Sequence, residues 1–219
     1  MRKCRMQLAF NSSLDDFYSV VNYIPKTDSI IIEAGTPLIK QFGTLAISEI
    51  RRFWTGEICA DMKIIDGAVE EVNMAAQAGA TSVTAMGNTT KETLTFFVNT
   101  CKKSKVKSII DMMNVANPMR TLWKSGVVPD SVFIHKGRDE ENAYGKILQY
   151  KEIAKIKGKW DITLGAAGGI DTREFQSAVF NNADTVVVNI VPPDKAWKGI
   201  VFNDKFKSSL DEFLKFVNN

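Results

Sequence analysis

The chain of 219 residues, 45% hydrophobic and 24% charged, is long enough to bury a sizeable core and has the balance of an ordinary globular protein. Its net charge of +3 is too slight to argue for nucleic acid, and its one dense basic run, Lys102, Lys103, Lys105 and Lys107, reads as a solvated helix end. Three widely spaced cysteines argue against a disulfide framework, one His and no CxxC argue against zinc, and the apolar run in "MRKCRMQLAF" is too short for a signal peptide or membrane span. These features predict a cytoplasmic protein that engages neither membrane nor nucleic acid.

Short apolar, β-branched runs recur along the chain: "RMQLAF" (5–10), "SIIIEA" (29–34), "EICADM" (57–62), "TSVTAM" (81–86), "VKSIID" (106–111), "SVFIH" (131–135), "DITLGAA" (161–167) and "DTVVVN" (184–189). Most lack polar alternation, as strands of a parallel sheet covered on both faces do. Helical spacing lies between them. Leu14, Phe17, Val20, Val21 and Ile24 follow the capping candidates Ser12 and Ser13. Val69, Val72 and Ala76 follow Asp66, and Phe175, Val179 and Phe180 follow Asp171 or Thr172. About eight strand–helix units predict an α/β fold, a single-domain (β/α)8 TIM barrel over 1–219, with a doubly wound open sheet as the alternative. Trp54, Trp123, Trp160 and Trp197 read as core or interface.

In such barrels the chemistry sits at the C-terminal ends of the strands. Those ends are Asn11, Glu33, Asp61 with Lys63, Gly87, Asp111, His135, Gly168–Gly169 and Asn189. Polar or glycine residues at nearly every strand end point to an enzyme. Asp61 and Lys63, two apart in an extended strand, face the same side, so Lys63 can be a fixed cation for a developing oxyanion. The plainer reading has Asp66 capping the next helix and Lys63 reaching solvent. Glu33 beside Asp61 needs a cation between them, and Mg2+ binds through one or two carboxylates plus substrate oxygens; a Glu paired with a nearby Lys is the alternative. His135 is placed to shuttle a proton, and Arg138 to bind an anion. Gly168 and Gly169 before a helix offer exposed amides for a phosphate, or simply a tight turn.

"ADMKIIDGAVEEVNMAAQAGATSVT" resembles the D-x-K-x-x-D segment of the orotidine monophosphate decarboxylase suprafamily. "IEAGTPLI", "IIDMMNVANP", H-x-G-x-D at 135–139 and "AAGGI" resemble, in order, segments of its 3-hexulose-6-phosphate synthase branch. The resemblance implies a (β/α)8 homodimer with shared active sites and a Mg2+-dependent aldehyde-lyase acting on a phosphorylated sugar. Such an enzyme joins ribulose 5-phosphate and formaldehyde reversibly through an enediolate. Carried over, Glu33 and Asp61 hold the metal, Lys63 stabilises the enediolate, Asp66 reaches the partner's site and His135 moves protons. Asn11, Asp111, Arg138, Gly168, Gly169 and Asn189 are the expected substrate-binding residues. The alternatives are a decarboxylase of the same suprafamily, acting on 3-keto-gulonate 6-phosphate or orotidine 5'-monophosphate, and a barrel that has lost catalysis and serves as a binding or regulatory partner. Two departures stand out: Asn11 replaces the usual Asp, and the eighth loop, "VVVNIVPPDKAW", has two Pro and no Gly. That loop predicts weak phosphate binding unless Lys195 or Lys198 replaces the missing donors.

Overall fold

A computed structural model describes residues 3–140 and 148–217. Eight parallel strands form the wall: β1 Arg5–Phe10, β2 Ile30–Ala34, β3 Glu57–Ile64, β4 Ser82–Met86, β5 Lys107–Asp111, β6 Ser131–His135, β7 Thr163–Ala167 and β8 Thr185–Val191. They pair in chain order, and β1 also pairs with β8, from Arg5↔Thr185 to Phe10↔Ile190. That closing pairing makes a barrel and excludes the doubly wound sheet. Between and after the strands lie α1 Leu14–Val20, α2 Thr36–Phe42, α3 Leu45–Phe53, α4 Ala68–Gln77, α5 Lys91–Lys103, α6 Pro118–Ser125, α7 Lys151–Lys157, α8 Thr172–Phe180 and α9 Phe206–Val217.

The continuous apolar runs are explained by two separate cores. Outward-facing strand residues such as Leu8, Ile32 and Val188 pack with the helices in one large cluster. Inward-facing Ala9, Ile31, Cys59, Ile109, Phe133, Ala167 and Val187 form a second cluster inside the barrel. Phe133 fills that interior because Gly165 on the next strand has no side chain; a Cβ there would collide with the ring. This plug forms the floor on which the strand-end polar groups stand.

Several local expectations change. Ser13 is the N-cap of α1, in a capping box with Asp16, and the helix gives way to a 3-10 turn at Val21–Tyr23. The helix α4 is preceded by Gly67 without a side-chain cap, so Asp66 does not cap it. Its buried face is Ala68, Val72 and Ala75, leaving Val69 exposed, and on α8 Phe175 and Ala178 are buried while Phe180 is 85% exposed. Trp54 is buried, Trp160 packs partly buried on the core, and Trp123 lies exposed on α6 rather than in the core. The eighth loop returns as a further strand, β9 Ile200–Val201, pairing with Ile190 and Val191 beyond the point where β7 leaves β8. All three cysteines are buried and free, and the basic run at 102–107 carries its lysines on the surface. No helix among the described residues is long and apolar enough to cross a membrane.

Candidate active site

The strand ends open into a cavity of about 510 Å3. Asn11, Glu33, Asp61, Lys63, Asp111, His135, Arg138, Gly168, Gly169 and Asn189 all line it. Asp66 and Gly87 do not, and Asp66 is exposed beyond the end of β3.

Asp61 and Lys63 reach the same space by a different route from simple alternation. The register of β3 shifts between Ala60 and Ile64, and Lys63 adopts φ 48°, a left-handed conformation costly for a residue with a Cβ. A hydrogen bond from the Lys63 amide to Thr84 Oγ1, at 2.9 Å, helps hold it. The bulge thereby brings the Lys63 ammonium back over its own strand. Its Nζ lies 3.2 and 3.1 Å from Asp61 Oδ1 and Oδ2, and 2.8 Å from Asp111 Oδ2. Lys63 therefore does not extend into solvent. Burial alone would push its pKa down, but Asp61 and Asp111 outweigh this and hold the ammonium above its ordinary value.

Asp111 is the hub of the network. Its Oδ2 accepts from Lys63 and lies 2.7 Å from His135 Nδ1, while Oδ1 accepts the Met113 amide at 2.9 Å. Burial would raise its pKa, but His135 and Lys63 together keep the carboxyl well below the usual range. Against an ionised carboxylate, His135 donates from Nδ1, leaving Nε2 as the nitrogen free to exchange a proton. Thr36 and Thr84 fix Asp61, each hydroxyl at 2.8 Å from one of its oxygens.

Glu33 is 6% exposed and accepts a hydrogen bond from Gln7 Nε2. Burial first and the Asp61 charge second push its pKa up to about 8. Two buried carboxylates with one short of positive charge are the pair that could hold a divalent cation. Among the described residues no three His, Cys, Asp or Glu side chains form such a group by themselves. Mg2+, however, needs only one or two carboxylates, and fills its shell with water and substrate oxygens. Among the described residues the buried Gln7 Oε1 has no partner, and a water on such a cation would satisfy it. The donor set thus fits a hard cation.

Beside Glu33, where β1 meets β8, Asn11 donates to Asn189 Oδ1 at 3.1 Å, and Asn189 donates to the Lys198 carbonyl at 3.2 Å. Asn11 therefore ties the first strand to the eighth loop. Gly168, at φ 107°, sits so close to loop six that a Cβ would collide with the Lys136 carbonyl oxygen. The N-terminus of α8 is closed by a capping box of Asp171 and Glu174. Lys198 lines the cavity with its ammonium 3.3 Å from Glu174 Oε2, whereas Lys195 pairs with Asp194 and lies outside the lining. Trp197, given no role by its sequence position, lies in the cavity wall with the Arg138 guanidinium 3.8 Å above its ring. Gln7, Thr36 and Thr84 were also silent in the sequence, although a lone Gln inside an apolar strand was a usable signal.

Residues 5–189 match the model of the orotidine 5'-phosphate decarboxylase / HUMPS family. The bifunctional enzyme Fae/Hps of Methanothrix thermoacetophila is 35% identical over 185 residues, 84% of this chain and 47% of that protein. Its counterpart from Methanosphaerula palustris is 36% identical over 200 residues, 90% of this chain and 48% of that protein. This chain thus spans about half the length of each. The solved structure of 3-hexulose-6-phosphate synthase from Salmonella typhimurium superposes with a TM-score of 0.81 at 24% identity, covering 98% of both chains. The family match, covering most of the barrel and all the strand-end residues described above, establishes that the chain belongs to the orotidine 5'-phosphate decarboxylase / HUMPS family.

Proposed function

We propose that the chain is a Mg2+-dependent aldehyde-lyase that joins ribulose 5-phosphate and formaldehyde, reversibly, into a hexulose 6-phosphate through an enediolate. The observation that carries this reading is the Lys63 ammonium fixed between Asp61 and Asp111, with His135 on the same Asp111 oxygen. As the proton leaves C1 of the pentulose, charge develops on the neighbouring oxygen. A cation already held in place stabilises that oxyanion without reorganising. His135 accepts the proton at Nε2 while Asp111 keeps Nδ1 protonated. The enediolate carbon then forms its bond to the formaldehyde carbon, and the formaldehyde oxygen takes up a proton to become the new hydroxyl. Glu33 and Asp61 would hold the metal, which when bound supplies Lewis-acid stabilisation of substrate oxygens.

The Hps part of the relatives' names and the fold shared with a 3-hexulose-6-phosphate synthase support this reading. Arg138 in the cavity wall favours a second one, decarboxylation of 3-keto-gulonate 6-phosphate, while Asp111, where the resemblance places Glu in that enzyme, favours the first. One assay separates them. Hexulose 6-phosphate should release formaldehyde with Mg2+ and stop doing so on chelation. Carbon dioxide from the keto-gulonate phosphate instead would establish the second reading, and neither product would leave a binding barrel.

The same reading includes a cytoplasmic homodimer with Asp66 acting across the interface. Asp66 is exposed and away from its own cavity, flanked by exposed Ile65 and Val69, the setting of a side chain awaiting a partner. Inactive Lys63→Ala and Asp66→Asn proteins, mixed under conditions of subunit exchange, should regain up to about a quarter of wild-type activity, because one hybrid site has both residues intact. No recovery despite proven exchange would dispose of the shared site.

A further inference from the structure

Among the described residues, the lysines on the cavity wall lean on carboxylates: Lys63 on Asp61 and Asp111, and Lys136 and Lys198 on Glu174. Arg138 leans on an indole. Its guanidinium carbon lies 3.8 Å from the centre of the Trp197 ring, and both side chains face the cavity, half-buried. Stacking occupies the flat face of a guanidinium and leaves its N–H donors pointing outward in the plane. An arginine held this way is still able to bind an oxyanion through two parallel hydrogen bonds.

The surroundings say which oxyanion. Loop six, which carries Arg138, packs on the Gly168 backbone closely enough to exclude a Cβ. Loop eight, which carries Trp197, is tied by Lys198 to Glu174 and by the Lys198 carbonyl to Asn189. Arg138, the Gly168–Gly169 amides and Trp197 therefore converge on one rim of the cavity, across from the Glu33 side. The α8 N-terminus behind the glycines is already closed by its own acidic box, so an anion there needs a cation from elsewhere.

We propose that Trp197 is a positioning residue that holds Arg138 flat against the rim, so that the guanidinium edge grips the phosphate of a phosphate-monoester substrate. The eighth loop thus contributes a platform in place of its own donor, and the cation comes from loop six. This rests on the reading of a phosphorylated substrate given above.

The test measures the affinity of the full chain for inorganic phosphate by calorimetry, together with KM and kcat for hexulose 6-phosphate. Arg138→Ala and Trp197→Leu should each weaken phosphate binding about tenfold to a hundredfold, the loss expected for charge-assisted hydrogen bonds. KM should rise by a similar factor with kcat largely kept, because the contact is the same in ground and transition states. Trp197→Phe keeps a ring and should retain most of the affinity; Arg138→Lys keeps the charge but not the plane and should not. A purely structural Trp197 would make Leu and Phe equivalent, and that outcome overturns the proposal, as does unchanged affinity in both Arg138→Ala and Trp197→Leu. Phosphate binding lost with Arg138 in a protein without lyase activity would uphold the anion site and reject the activity. Lyase activity with unaltered KM in both variants would do the reverse.

Discussion

Lys63→Met should remove at least about a hundredfold to a thousandfold of kcat, the usual loss when a preorganised oxyanion partner is deleted. It should also destabilise the fold. Lys63 is the ammonium between Asp61 and Asp111, whose side chains are 13% and 4% exposed, and breaking a buried pair by removing one partner costs about 3–5 kcal/mol. Methionine keeps the stem, so the loss reports the charge and not the packing. The pH dependence identifies the cause. Without the ammonium, Asp111 loses one of the two partners that hold its carboxyl below the usual range and Glu33 loses a charge that favours its ionised form, so both bind protons more readily in the folded state. The deficit against wild type should therefore be larger at pH 8 than at pH 5 in urea melts. An equal deficit at both would mean that the lysine acts through packing.

The second large effect concerns Glu33. Its pKa is raised from 4.5 to about 8 by burial and by Asp61. A carboxyl raised in the folded state binds more protons there than in the unfolded chain between those two values. Its contribution is thus intact below about pH 4.5, declines as pH rises, and is lost by about pH 8. In metal-free protein, Glu33→Gln should remove this slope and be more stable than wild type at pH 9, by a few kcal/mol, with the difference vanishing near pH 4. Mg2+ requires the ionised form, so its binding below pH 8 should release a proton and tighten as pH rises, which calorimetry in buffers of different ionisation heat reads directly. Parallel stability curves for the two proteins from pH 5 to 9 would refute the assignment.

The eight strands were legible because a parallel barrel buries both faces of each strand, and that leaves continuous apolar runs bounded by polar residues. Their C-terminal ends named the cavity wall for the same reason: each polar residue there sits where the apolar plug stops. What the sequence could not carry was deviation from regular geometry. The left-handed Lys63 and the bulge around it extend β3 to Ile64, and no local pattern marks a bulge. On α4 the expected Val72 is buried and Ala76 packs on the core, but the inward Ala68 and Ala75 are too small to stand out, while the outward Val69 looks like core. Thr84 on β4 looks like ordinary strand composition, although it supports both Lys63 and Asp61. The two-residue β9 and the placing of Trp197 depend on where a loop returns, which is set by contacts distant in sequence.

The hydrogen bond between Asn11 and Asn189 joins residues 178 positions apart. It exists only once β1 has found β8, and bringing such distant ends together is the entropically slowest part of assembling the wall. Gln7 and Glu33, or Asp111 and His135, meet between adjacent strands and need no such closure. Maturation of the pocket is therefore ordered in time. The charge network can assemble on an open, nascent sheet, whereas the rim tied to loop eight forms last, as the ring shuts. During refolding, helical signal should recover before binding capacity, and a chain still emerging from the ribosome has no complete pocket until its eighth strand is free.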